Sequence, residues 1–167
     1  MPSVARLRSA VAYEGPIELA IQRFKYSGWR RLAQPLALLL AERLVVEGLA
    51  TSCAVAVPLH PQRLRARGFN QSELLARELR SSLALGEIPG GLVRVRATPP
   101  QVGHDRLWRQ ENVRGAFAWR GADLAGRSVL LVDDVATTGA TLEACAATLK
   151  AAGAGPVIGV SVARVTV

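Results

Sequence analysis

The sequence contains few cysteines. Cys53 and Cys145 are the only two among 167 residues. Neither belongs to a Cys-x-x-Cys pair, which excludes the usual structural zinc site and the disulfide framework of small secreted proteins. Each lies in an apolar stretch, so both are predicted to be small core residues.

The sequence also lacks a segment suited to a membrane or to secretion. The most apolar stretch, residues 32–49, is interrupted by four polar or charged side chains, and a bilayer span needs about 20 mostly apolar residues. Residues 1–15 contain arginines but no apolar core of a signal peptide. We therefore expect no membrane span and a soluble, cytoplasmic protein.

Disorder and low complexity are excluded by composition. Half of the residues are hydrophobic and 20% are charged, which is typical of a chain that buries a core. Phosphate-binding sequences of the P-loop type and of the dinucleotide-binding type are absent. The length predicts one compact domain overall.

Lysine is scarce, although the net charge is +8. Only two of the 21 basic residues are lysines, and the others are arginines, whose planar fork of donors suits phosphate. Residues 60–115 carry ten basic and five acidic side chains, whereas residues 116–167 carry four of each. The excess predicts an anionic ligand, either a phosphorylated small molecule or nucleic acid. Solvated helix faces are the alternative explanation.

The hydrophobic pattern alternates between helices and strands. Helices are predicted at residues 16–25, 29–47, 70–83 and 141–152, and strands at 53–57, 92–95, 115–119, 128–132 and 156–165. This alternation predicts an α/β fold with a mainly parallel central sheet flanked by helices.

The chemistry is concentrated after the strand that ends at Val132. Two carboxylates suited to vicinal hydroxyls come first, and a small, hydroxyl-rich turn then opens a helix. Such a helix start binds anions, and its glycine lets the backbone approach a phosphate. An ordinary helix cap explains one acid and one threonine, but not the whole segment. The segment is Asp133, Asp134, Val135, Ala136, Thr137, Thr138, Gly139, Ala140 and Thr141.

Residues 129–141, VLLVDDVATTGAT, resemble the phosphoribosyl pyrophosphate (PRPP) motif of type I phosphoribosyltransferases. Further segments resemble the ComF family, which is associated with bacterial competence. These are residues 24–28 (FKYSG), 57–59 (VPL), 67–71 (RGFNQ), Gln101, Arg109, Asn112, Gly115 and Phe117. The resemblance implies the type I phosphoribosyltransferase fold, with a helical hood region in residues 1–50 and the core in residues 51–167.

The resemblance also implies roles for named residues. Asp133 and Asp134 would hold the ribose hydroxyls of PRPP as the catalytic pair, and residues 135–141 would bind its 5-phosphate. Mg²⁺ would be bound through pyrophosphate and water, with the two acids as further ligands. A loop at residues 98–114 would close over the ligand, and Trp108 would either stack on a base or anchor that loop. The pyrophosphate contacts would come from Pro58, Leu59, Arg63, Arg67, Arg106 and Arg109, and Gln101 would contact the acceptor or the phosphates. Arg63, Arg65 and Arg67 are expected at alternate positions of one loop, which either binds the polyanion or is simply a solvated basic loop.

Three functions remain open at this point. The first is a magnesium-dependent phosphoribosyltransferase that releases pyrophosphate and whose acceptor the sequence does not name. The second is a competence factor that binds single-stranded DNA, with the PRPP site regulatory or not catalytic, and the third is a PRPP sensor. ComF proteins commonly begin with a zinc ribbon, and with only two cysteines here we do not expect zinc binding.

Overall fold

A central sheet of four parallel strands organises the molecule. The computed structural model describes residues 3–97 and 112–165. In these residues the strands lie in the order β1 (Arg6–Ala12), β6 (Val157–Arg164), β5 (Val129–Ala136) and β2 (Cys53–Ala56). A separate antiparallel hairpin pairs β3 (Gly90–Arg94) with β4 (Phe117–Gly121).

Helices cover both faces of this sheet. They are α1 (Gly15–Tyr26), α2 (Ala33–Val46), α3 (Pro61–Arg67), α4 (Gln71–Ser82) and α5 (Ala140–Ala151), with a short 3₁₀ turn at Arg30–Leu32 before α2. One hydrophobic cluster joins the sheet to α1, α2 and α4, and a second joins it to α5 and the hairpin. The inner strands β5 and β6 are apolar runs because both of their faces are buried.

Local sequence explains where the helices near the site begin. Asn70 precedes α4, and its Oδ1 accepts a hydrogen bond from the backbone N–H of Ser72 at 3.1 Å. Leu75 and Leu79 then form the buried stripe of this helix. Pro61 opens α3 at a position where its missing N–H costs nothing.

The structure confirms the predicted α/β fold and its mainly parallel sheet. It corrects the sequence analysis at three places. Residues 6–12 form an edge strand that was not predicted, residues 61–67 form a helix where a basic loop was expected, and β5 continues through the two acids. The boundary expected at residue 50 stays a prediction, although residues on both sides of it share one hydrophobic cluster.

The two cysteines are free and buried, as predicted. A search of residues 3–97 and 112–165 finds no helix with the length and apolarity that a bilayer crossing requires. The same residues contain no cluster of three or more His, Cys, Asp or Glu side chains that could hold a metal ion.

Candidate functional site

The site lies at the carboxyl edge of the sheet, where β2 and β5 both end. Ala56 pairs with Val132, so the segment that follows β2 leaves the sheet beside Asp133. The backbone N–H of Val57 donates to the carbonyl of Val132 at 2.9 Å, and Asn70 Nδ2 donates to the carbonyl of Val57 at 3.0 Å. These bonds hold residues 57–59 next to the turn between β5 and α5.

That turn presents free backbone donors. Gly139 has a φ of +78°, and a Cβ there would meet Leu7 Cδ2 at 3.2 Å. No residue in the described part of the chain accepts a hydrogen bond from the backbone N–H of Thr137, Thr138 or Gly139. Three such groups at the start of a twelve-residue helix form a site for an anion.

Asp133 is the half-buried acid of the pair. Its Oδ1 accepts hydrogen bonds from Ser72 Oγ at 3.0 Å and from the backbone N–H of Asp134 at 2.9 Å. Oδ2 has no partner among the described residues. Burial, followed by the charge of Asp134, raises the pKa of the Asp133 carboxyl to about 7.

Asp134 has a different environment, because it is only 3% exposed and both of its oxygens are engaged. Oδ1 accepts from the backbone N–H of Val135 at 2.8 Å, and Oδ2 lies 2.8 Å from Lys25 Nζ of α1. Burial alone would lower the pKa of Lys25, but the charges of Asp134 and Asp133 outweigh it and raise that pKa. The two adjacent acids therefore differ in what they can offer a ligand.

The predicted pyrophosphate residues Pro58 and Leu59 lie at this edge and are half-buried. Their neighbour His60 caps α3, where its Nδ1 accepts from the N–H of Gln62 at 3.3 Å. The expectation that Arg63 and Arg67 stand in a loop with Arg65 is wrong, since all three belong to α3.

Their placement on a helix separates these arginines. Arg67 donates to Gln71 Oε1, and its guanidinium carbon lies 5.1 Å from the centroid of the Tyr26 ring. Arg63 is exposed.

Three residues of the site were missed by sequence reasoning. Arg94 of β3 lies over the Phe117 ring at 5.4 Å, and burial followed by the charge of Arg63 lowers its pKa, while Asp133 acts to raise it. No pattern in the sequence links Ser72 of α4 to the acid pair, although its Oγ donates to Asp133. One feature of the sequence distinguishes Lys25, which is one of two lysines in an arginine-rich chain. Gln101, Arg106, Trp108 and Arg109 lie outside the described residues.

A group of arginines and exposed aromatic rings lies beside this edge of the sheet. Tyr26 and Trp29 are 76% and 45% exposed. The guanidinium carbon of Arg23 lies 4.8 Å from the Trp29 ring centroid, and that of Arg30 lies 4.9 Å from the ring of Phe69. We define the arginine–aromatic surface as Arg23, Tyr26, Trp29, Arg30, Arg31 and Arg67.

The cations of this surface are not neutralised by the part of the protein that is described. None of its four arginines has a described carboxylate within 4.0 Å. An open hollow of about 470 Å³ is lined by Gly28, Trp29, Arg30 and Arg31. The surface thus combines free positive charge with accessible aromatic faces.

Comparison with known proteins agrees with this geometry. Residues 71–165 match a family model described as a phosphoribosyl transferase domain. DNA utilization protein YhgH of Salmonella typhi is 33% identical over 161 residues, which cover 93% of this chain and 70% of that protein. Competence protein F of Haemophilus influenzae is 34% identical, with 84% and 65% covered. Adenine phosphoribosyltransferase of Rhodococcus opacus is 37% identical, with 72% and 63% covered.

Proposed function

The chain belongs to the phosphoribosyltransferase family, in its ComF branch, and on that premise we propose that its carboxyl-edge site binds PRPP. One observation carries the proposal. The backbone N–H groups of Thr137, Thr138 and Gly139, which have no acceptor among the described residues, open α5 shortly after the acid pair, at the same edge of the sheet. The 5-phosphate of PRPP suits those donors, with the hydroxyls of the turn as further donors.

Asp133 is the residue that we assign to the ribose. Its Oδ2 has no partner among the described residues, whereas in Asp134 Oδ1 accepts a hydrogen bond and Oδ2 forms an ion pair with Lys25. An ionised Asp133 would accept hydrogen bonds from the ribose hydroxyls and favour positive charge that develops on the ring. Ser72 orients the carboxylate through its bond to Oδ1.

The pyrophosphate would lie against residues 57–59, with the charges of Arg63 and Arg94 nearby. Mg²⁺ fits this donor set, because it uses one or two carboxylates and completes its shell with phosphate oxygens and water. Bound to pyrophosphate, it would neutralise the leaving group. The assignment of Gln101, Arg106 and Arg109 to a closing loop stays a prediction.

The reaction that this arrangement supports is displacement at ribose C1. The bond between C1 and the pyrophosphate oxygen breaks, and a nucleophilic nitrogen of the acceptor bonds to C1 and loses its proton. Asp133 acts on the ring rather than on the acceptor. The acceptor class proposed here is a nitrogenous base or an amine, in line with the name of the Rhodococcus opacus relative.

Calorimetric titration with PRPP, with and without Mg²⁺, tests the proposal directly. Asp133→Asn should weaken PRPP binding roughly 10- to 100-fold, because a charge-assisted hydrogen bond contributes about 1.5–3 kcal/mol. Glu42→Gln, at an exposed position of α2, is the matched control and should bind normally. Unchanged affinity in the Asp133 variant would contradict the assignment. Pyrophosphate release in a screen of bases and amines then tests catalysis.

A second function is favoured by the arginine–aromatic surface. Non-specific binding of single strands combines arginines for phosphates with aromatic faces for bases, and this surface offers both at accessible positions. The names of the Salmonella typhi and Haemophilus influenzae relatives refer to DNA utilization and competence. We propose that single-stranded DNA binds here, beside the PRPP site.

Fluorescence anisotropy with a labelled oligonucleotide tests this second function. The double variant Tyr26→Ala/Trp29→Ala should weaken strand binding at least tenfold, since each stacked base contributes about 1–3 kcal/mol. Val46→Ala removes another exposed apolar side chain, on α2, and should leave binding unchanged. Equal affinity of the double variant and the wild type would rule out this surface as the binding site.

A further inference from the structure

The outer edge of β2 carries a small pocket that the proposed functions do not use. In the described part of the chain β2 is an edge strand of the four-stranded sheet, and β3 pairs with β4 rather than with β2. The space between β2 and the start of β3 is a pocket of about 120 Å³. Pockets for drug-sized ligands measure roughly 300–1,000 Å³, so this one suits a single small ring system. We define the strand-edge pocket by six of its lining residues: Ala56, Glu73, Arg80, Glu87, Leu92 and Trp119.

The pairing of β2 with β5 fixes which backbone groups face this pocket. The two strands are parallel, and the N–H of Val57 donates to the carbonyl of Val132 at 2.9 Å. In a parallel ladder the N–H and C=O groups of alternate residues bond to the same neighbouring strand. Those of Val55 and Val57 therefore face β5. Those of Ala54 and Ala56 face outward, toward the pocket that both residues line.

The outward groups of β2 have partners up to Ala54 and none beyond it. The carbonyl of Ser52 accepts from the N–H of Gly86 at 2.9 Å, at the one β-bridge on this edge, and the carbonyl of Ala54 accepts from Arg80 Nη1 at 3.2 Å. Ala56 is only 8% exposed, and its N–H and C=O have no partner among residues 3–97 and 112–165. Because buried backbone groups are nearly always bonded, this unused pair indicates a place for a ligand.

The walls of the pocket restrict what that ligand can be. Glu73 Oε1 lies 2.7 Å from Arg80 Nη2, whereas Glu87 has no described basic side chain within 4.0 Å. These three side chains give the pocket a net charge of one negative, although the whole protein carries +8. Carboxylates accept hydrogen bonds and donate none, so they favour an amino group and disfavour a phosphate. Leu92 and Trp119 add apolar surface for a ring.

We propose that the strand-edge pocket binds a neutral nucleobase in which a ring nitrogen lies beside an exocyclic amine, as in adenine and cytosine. The N–H of Ala56 donates to the ring nitrogen, and its C=O accepts one hydrogen of the amine. Both groups of an extended residue point to the same side of the strand, as they do toward a neighbouring strand, so they can serve such a pair. The carboxylate of Glu87 accepts the second hydrogen of the amine. Neither acid of the pair lines this pocket, and the inference does not rest on the PRPP site.

A nitrogen-15 NMR titration tests the hydrogen-bond pattern on the wild type. Binding of 9-methyladenine should shift the Ala56 amide signal in a saturable way. The analogue 9-methylpurine lacks the amine and should bind roughly tenfold more weakly, because Ala56 and Glu87 then lose their donor. Equal affinities of the two compounds would overturn the proposal. Shifts at Thr137, Thr138 and Gly139 in place of Ala56 would also overturn it, since the base would then occupy the PRPP site.

Variants test the same contacts from the side of the protein. Ala56→Pro removes the outward N–H at a sheet edge, where proline is tolerated, and should weaken 9-methyladenine binding by roughly tenfold or more. Glu87→Gln should weaken it about threefold, because the amide oxygen is a poorer acceptor than a carboxylate. Glu42→Gln, at an exposed position of α2, is the control and should bind normally.

Two further outcomes would contradict the base-binding assignment. One is normal binding of 9-methyladenine by a folded Ala56→Pro variant, and the other is a wild type whose Ala56 amide responds to an extended peptide but to no base. If Ala56→Pro does not fold, the comparison of the two ligands on the wild type decides. A protein that fails to bind PRPP refutes the proposed function and leaves this titration unaffected, so the two proposals fail separately.

Discussion

The acid pair with its following turn lies beside the arginine–aromatic surface. The two regions differ in whether their charged side chains have partners of opposite charge within the protein. In the first region, Asp134 is buried against Lys25, and backbone N–H groups supply the donors. In the second, four arginines have no described acidic partner, and two aromatic rings are exposed. The first region suits one small anion of defined shape, and the second suits a polymer whose phosphates and bases vary in position.

The largest expected effect compares two cations on the same helix. Lys25→Met should lower the free energy of unfolding at pH 8 by about 3–5 kcal/mol, because it leaves the buried charge of Asp134 without its partner. Arg23→Met, two residues away on the exposed side, should change it by less than about 0.5 kcal/mol. Denaturant unfolding of both variants measures the difference. Equal losses of unfolding free energy in the two variants would mean that Lys25 is no more strongly paired with a charge of the protein than Arg23 is.

The next largest effect is the salt dependence of single-stranded DNA binding, which concerns only the arginine–aromatic surface. If all four arginines of the surface contact phosphates, the affinity for a single strand should fall about 50-fold between 50 and 200 mM salt, from a slope near −0.7 for each contact. Arg30→Met should make that slope shallower by about 0.7. Anisotropy titrations at four salt concentrations give the slope. A slope that Arg30→Met leaves unchanged would place the phosphate contacts elsewhere.

A smaller effect is expected from pH and concerns only the first region. The pKa of Asp133 is raised to about 7, so PRPP affinity should rise roughly tenfold between pH 6 and pH 8 as the carboxyl ionises. Asp133→Asn, measured alongside, should lose that part of the rise and leave only the part that belongs to the phosphates of the ligand. The affinity for single-stranded DNA should not change between pH 6 and pH 8.

The same pKa has a consequence for stability. An acid whose pKa is raised on folding holds a proton that the unfolded chain has already released. The contribution of Asp133 to the free energy of unfolding therefore falls as the pH rises from about 4 to about 7. Thermal unfolding across this range should show the decline in the wild type and a smaller one in Asp133→Asn.

Most of the fold could be predicted because its signals are local. The runs around β5 and β6 are apolar and short, and the Asn70 cap and the leucine stripe mark α4. The strand at residues 6–12 was missed because it lies at the edge, where its sequence mixes charged and apolar residues and only pairing with β6 reveals it.

The site could be predicted only where its residues are consecutive. The turn after Asp134 is one continuous segment, so its composition alone indicates an anion site. The two acids differ in their partners, because Ser72 donates to Asp133 and Lys25 forms an ion pair with Asp134. Both partners lie more than 60 positions away in the chain. A pattern of adjacent acids contains no information about which one a distant helix neutralises.

The smallest effect tests a position that the sequence did indicate. Gly139 and Gly28 both have positive φ, at +78° and +69°. Gly139 lies in the turn after the acid pair, and Gly28 lines the open hollow at the arginine–aromatic surface. Alanine at either position should cost about 1 kcal/mol of stability, because left-handed backbone disfavours a Cβ.

Only Gly139→Ala should also weaken PRPP binding, by roughly fivefold, since its Cβ would meet Leu7 and shift the donors of the turn. Gly28 has no atom within 4 Å of its Cβ position, so Gly28→Ala should bind PRPP normally. Equal PRPP affinities in the two variants would mean that the turn tolerates displacement, and that the phosphate is held mainly by side chains.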